Sequence, residues 1–117
     1  MKIKITADEL MDIVKRYVKE QLKIDGDAKL DVEKYYDQRD GGYLKIEVLI
    51  TAKVNVLGKE YNAEKTLYEK DIKDILNFYL RAEGIEPERI AFKVQNGTTL
   101  DYVEIDIRQN VRKRGEI

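Results

Sequence analysis

The chain contains no cysteine, no histidine and no tryptophan among its 117 residues, and only one proline. Without cysteine there is no disulfide, no thiolate nucleophile and no zinc ribbon. The missing histidine removes the usual near-neutral general base, the commonest metal ligand and the base of every Ser-His or Cys-His nucleophile pair. Charge of one sign is also lacking: 22 Lys and Arg stand against 23 Asp and Glu, a net charge of −1, so no global field favours a polyanion and any nucleic-acid contact must be local. No apolar run is long enough to cross a bilayer, and Met1 to Met11 alternates charged with single apolar residues instead of carrying a signal-peptide core. A cytoplasmic protein that does not engage a membrane is expected.

The glycines, Gly26, Gly41, Gly42, Gly58, Gly84, Gly97 and Gly115, form neither a dinucleotide-binding nor a P-loop spacing and read as turn punctuation. Charged residues make up 38%, well above the rough quarter of an ordinary soluble domain, which implies an ion-pair-rich surface. The length suits one domain. Hydrophobic patterning runs to about residue 109 and then stops, so residues 1–109 are expected to fold as a single α+β domain and 110–117 to form a flexible basic tail.

Lys2 to Ile5 alternate with period two, as a short strand would. Thr6, Ala7, Asp8, Glu9 form a capping box and start a helix near Ala7, with Leu10, Met11, Ile13, Val14, Tyr17, Val18 and Leu22 on its apolar face and Gly26 as the break. A strand from Ala28 to Tyr36 and a longer one from Tyr43 to Leu57 follow. A three-residue turn at Arg39, Asp40 and Gly41 would set Tyr36 against Leu44, Val32 against Val48, Leu30 against Ile50, and Lys34 beside Ile46 as a misfit. A two-residue turn at Gly58 and Lys59 would place Tyr61 across from Val56 and Ala63 across from Val54, all on the inner face. A second helix runs from Tyr68 or Glu69 to Ala82, ended by Gly84 and Pro87. Ile90, Phe92 and Val94 then lead through Asn96 and Gly97 to a return strand with Val103, Ile105 and Ile107 inward.

The expected order is α-β-β-β-α-β-β, an antiparallel sheet of about five strands with two helices packed on one face. The run from Asp12 to Val18 resembles that from Asp74 to Leu80, with Ile13 and Ile75, and Tyr17 and Tyr79, in matching places on the apolar stripes. With the N-terminal strand counted, the chain reads as two βαββ units; two amphipathic helices on one sheet would look alike through shared constraint as well.

Asp25, Asp27 and Asp31, and Asp37 with Asp40, lack calcium-loop spacing and read as turn and cap formers. No carboxylate pair stands in an apolar setting that would raise a pKa for acid-base work. No metal, cofactor or catalytic residue is therefore nominated, and an enzyme is not expected. Opposite in parity to the core stand Tyr35, Tyr43, Lys45, Leu49 and Lys53, and from the second unit Lys93, Leu100 and Tyr102. Such a face is solvated, covered by a partner or used to stack single-stranded nucleic acid. No RNP1 pattern is present, and Glu33, Glu47 and Glu104 would repel phosphates.

The element order resembles in topology the small acidic dimeric chaperones of bacterial secretion systems. That likeness implies a dimer that binds extended client segments; it transfers no residues, and the family's third helix and its acidity have no counterpart here. The expected function is non-catalytic: a small binding or regulatory protein acting through protein-protein contact, as a homodimer or with another protein, with Tyr35, Tyr43, Leu49 and Tyr102 as the contact residues. The alternative is a single-stranded nucleic-acid module using the open sheet face and Lys93, Arg108, Arg112, Lys113 and Arg114.

Overall fold

The computed structural model describes residues 1–35, 43–95 and 99–108, and side chains throughout these except Lys34, Tyr35, Tyr43 and Gln95. The elements are β1 (Lys2–Thr6), α1 (Ala7–Glu20), β2 (Gly26–Tyr35), β3 (Tyr43–Val56), β4 (Lys59–Tyr68), α2 (Glu69–Ala82), β5 (Pro87–Gln95) and β6 (Thr99–Ile107). The α+β class and the two helices are as read, and the short first strand is present. The single sheet is not: the strands form two antiparallel three-stranded sheets, β2-β3-β4 and β1-β6-β5.

The chain crosses from one sheet to the other through its helices. Thr6 ends β1 and also caps α1, its hydroxyl accepting from Glu9 N–H at 3.1 Å while its own N–H donates to Glu9 Oε1 at 2.9 Å. Tyr68 ends β4 and caps α2 by the second half of that exchange alone, donating its N–H to Asp71 Oδ2 at 2.9 Å. With no loop between strand and helix, α1 leaves the β1-β6-β5 sheet and delivers the chain to β2 of the other, and α2 makes the reverse crossing from β4 to β5. Each sheet is consequently the hairpin of one βαββ unit completed by the first strand of the other unit. Ile5 faces Val103 across one such junction as Leu67 faces Val48 across its counterpart.

One core joins both layers. Leu10, Val14 and Val18 of α1 and Ile72, Ile75 and Leu76 of α2 pack on Val32, Ile46, Val48, Ile50 and Leu67 of one sheet and Leu100, Val103 and Ile105 of the other. The repeated tyrosines are half-buried and meet each other where the helices cross, Tyr17 and Tyr79 edge to face at 6.3 Å between centroids. Ile75 is buried while Ile13 packs at the core's margin.

Several local expectations are corrected. The first hairpin is shifted by two residues, so Val32 faces Ile46, Leu30 faces Val48 and Lys34 faces Leu44; the parity survives. Its turn, including Arg39, Asp40 and Gly41, lies outside the described residues, as do Asn96 and Gly97. The second hairpin turns at Leu57 and Gly58, with φ of 52° and 82°, the type I′ pattern, which sets Val54 against Tyr61 and Ala52 against Ala63. The break after α1 comes at Lys23, φ 58°. Gly26 instead starts β2 in close approach, since a Cβ there would lie 2.3 Å from the Thr51 carbonyl oxygen. Gly84 does end α2: at φ 78° its N–H donates to the Arg81 carbonyl and the next N–H, of Ile85, to that of Leu80. Among the described residues no helix is long and apolar enough to cross a membrane.

Candidate protein-interaction surface

The four expected contact residues are divided between the two sheets, Tyr35, Tyr43 and Leu49 on β2 and β3 of one and Tyr102 on β6 of the other. Tyr35 and Tyr43 are cross-strand neighbours at the far end of β2 and β3, their side chains outside the described set. Leu49 sits mid-β3, half-buried between Lys29 and Thr66 on the flanking strands. Tyr102 is on β6 of the other sheet, opposite Lys93, with Lys4 Nζ 4.8 Å from its ring centroid. Leu100, expected outward beside Tyr102, is buried. A register shift between Lys93 and Val94 leaves Asp101 as an extra residue in β6, so Leu100 pairs with Val94 and turns back to the core. Arg108 is exposed, its N–H on the Glu86 carbonyl at 3.0 Å; Arg112, Lys113 and Arg114 lie outside the described residues.

Charge on the two outward faces is largely internally matched. Lys45 pairs with Glu47 at 3.0 Å, Lys53 with Glu60 at 3.4 Å and Lys2 with Glu104 at 3.6 Å. Among the described residues no polar or charged side chain is buried, and no group of three or more potential ligands gathers to hold a metal. Tyr79, donating to Glu20 Oε1 at 3.4 Å, has its pKa raised by desolvation and then by the Glu20 charge. It belongs to the helix crossing, where Phe78 adds a half-exposed ring 5.2 Å away.

The conspicuous surface is one the inner-face reading hid. β3 and β4 outrun the rest of the fold: β2 begins at Gly26, opposite Ala52, and from Lys53 to Asn62 every residue is exposed. This two-stranded arm continues the core-facing stripe of Ile46, Val48 and Ile50 as Val54 and Val56, with Tyr61 beside them, now 39%, 51% and 48% exposed. At the tip Leu57 is fully exposed. It also takes the left-handed backbone, where an ordinary side chain costs about 1 kcal/mol and Asn, Asp or Gly is the usual occupant. The tip is held by Asn55, whose Oδ1 accepts from Gly58 N–H at 3.0 Å.

A signal for the arm was present in the element lengths. A 14-residue helix is about 21 Å long whereas a 14-residue strand is about 46 Å, so helices of this size leave part of β3 bare. Comparison of the chain with protein-family models, with curated proteins and with solved structures gives no match.

Proposed function

We propose that this is a non-catalytic binding or regulatory protein that works through protein-protein contact, and that the β3–β4 arm is its contact element. The observation that carries this is Leu57: an apolar side chain placed fully in solvent, on backbone it fits poorly, at the end of an apolar ribbon. Folding gains nothing from that choice, since Asn or Gly would serve the turn better, and strain of this kind is kept where a partner uses it. Val54, Val56 and Tyr61 supply a contiguous apolar face, and Lys59, opposite Val56 with its Nζ 5.4 Å from the Tyr61 ring centroid, gives that face a charged border. A second copy of the chain is the simplest partner.

The alternative draws on Tyr102, flanked by Lys4 and Lys93 as a stacking platform would be, though Glu104 on the same strand face opposes phosphate. The two separate experimentally. A photo-crosslinking residue at position 57 should form adducts with protein, and the same residue at exposed Lys15 on α1 should not. Binding of random single-stranded DNA that falls steeply with salt and is unchanged by Leu57→Ser would overturn the proposal in favour of nucleic acid.

A further inference from the structure

The geometry points to one mode of self-association, an edge-to-edge pairing of the β3 arm strand with the same strand of a second copy; this rests on the protein-contact reading above and gives it a register. In a two-residue hairpin the residues flanking the turn form a hydrogen-bonded pair. Val56 and Lys59 are that pair, so Val56 and Val54 turn their backbone groups toward β4, and Asn55 and Lys53 turn theirs to the opposite edge. Further back that edge is occupied by β2, but β2 stops at Gly26 opposite Ala52. The N–H and C=O groups of Lys53 and Asn55 therefore face the space β2 has left. Of the devices that guard natural edges, this one carries a single charged side chain, Lys53, tied to Glu60 on the outward face, and neither a proline nor an inward-pointing charge.

Only a short antiparallel strand fits the space, and the arm of a second copy is one. With Asn55 opposite Asn55 of the copy, Val54 faces Val56, Lys53 faces Leu57, and no like charges meet. The copy's turn then stops beside Lys53, just short of Gly26. Sliding one step further in would drive Val56 of the copy against the edge at Ala52 that Gly26 already fills. Sliding one step out loses the pairings of Lys53. In the favoured register the four valines and two tyrosines form one apolar face across a four-stranded ribbon. Leu57 of each copy lies against the open notch lined by Asp25, Gly26, Asp27, Thr51, Ala52 and Lys53 of the other. So short a pairing falls below the roughly 1,200 Å² of a stable interface, so the dimer is weak and concentration-dependent.

The chain's lack of cysteine makes the test clean. Cα atoms in a hydrogen-bonded antiparallel pair lie about 5.5 Å apart, within disulfide range. Under oxidised glutathione, Asn55→Cys should form a covalent dimer about tenfold faster than Lys53→Cys, whose mate across the ribbon is Leu57 rather than itself. Equimolar Lys53→Cys and Leu57→Cys should cross-link to each other. In sedimentation, the wild-type mass should rise from 13.7 kDa toward twice that between about 10 µM and 1 mM, and Val54→Lys/Val56→Lys should stay monomeric. The like-charged pair should dimerise once mixed with Val54→Glu/Val56→Glu. Equal cross-linking at positions 53, 55 and 57, or a wild type monomeric throughout, overturns the paired arm. Protein adducts from position 57 in that case would leave the contact reading standing with a different partner, so the two failures are distinct.

Discussion

Val48 and Val56 lie on the same face of the same strand, and the same substitution at each measures where the core ends. Val48 is fully buried between the helices and its own sheet, and Val56 is 51% exposed on the arm. Val48→Ala removes two methyl groups' worth of burial, about 1.6 kcal/mol, and leaves a cavity that adds roughly another 1 kcal/mol. Val56→Ala loses about half the burial and leaves no cavity, roughly 0.5–1 kcal/mol. For a chain of 117 residues each kcal/mol moves the melting temperature by about 4 °C, so the expected losses are roughly 8–12 °C against 2–4 °C. Urea unfolding at about 2 µM protein, where a weak dimer is dissociated, reads the difference directly. If Val56→Ala costs as much as Val48→Ala under those conditions, the arm is packed within its own chain and the exposed-ribbon account is wrong.

Gly26→Ala should be far more damaging than Gly84→Ala. The first drives a Cβ to 2.3 Å from the Thr51 oxygen and must open the end of β2, costing roughly 2–3 kcal/mol. The second meets nothing within 4 Å and costs about 1 kcal/mol for its φ of 78°; equal urea midpoints would refute the close approach. The Thr6 backbone N–H, then its hydroxyl, holds the Glu9 carboxyl below its ordinary 4.5, so the stabilisation is complete above that pH and is lost as pH falls through the depressed value. Glu9→Gln should accordingly lower the melting temperature at pH 6 and remove part of its decline below pH 4. An unchanged acid limb would count against the capping box.

Local features were legible in the sequence because their causes are local. Thr6 with Glu9 and Gly84 with Pro87 each satisfy or terminate a helix end within a few residues, so the start of α1 and the end of α2 read through, whereas the break after α1, taken by Lys23 rather than Gly26, did not. Strand parity in the first hairpin also read through, since Val32 and Ile46 each stand between charged neighbours. Register did not, because it depends on how many residues a turn uses, and Leu57 at a positive φ is not an occupant that turn chemistry favours. The division into two sheets depends on β1 finding β6 and β4 finding β3, pairings that alternation cannot choose. Leu100 was misplaced by one extra residue at Asp101, which reverses every face beyond it. The arm was hidden because period two says which side a residue faces and not whether anything lies there.

The pairing of β1 with β6 has a consequence for how the chain is made. Ile3 and Ile5 leave the ribosome about a hundred residues ahead of Ile105 and Val103, which they face. At 5–20 residues per second that interval is roughly 5–20 s, during which the first strand has no partner and its sheet does not exist. Lys2 and Lys4, interleaved with those isoleucines, keep the waiting strand charged and poorly suited to pairing with a neighbouring nascent chain. The alternation that opens the sequence thus serves the protein before it has folded as well as after.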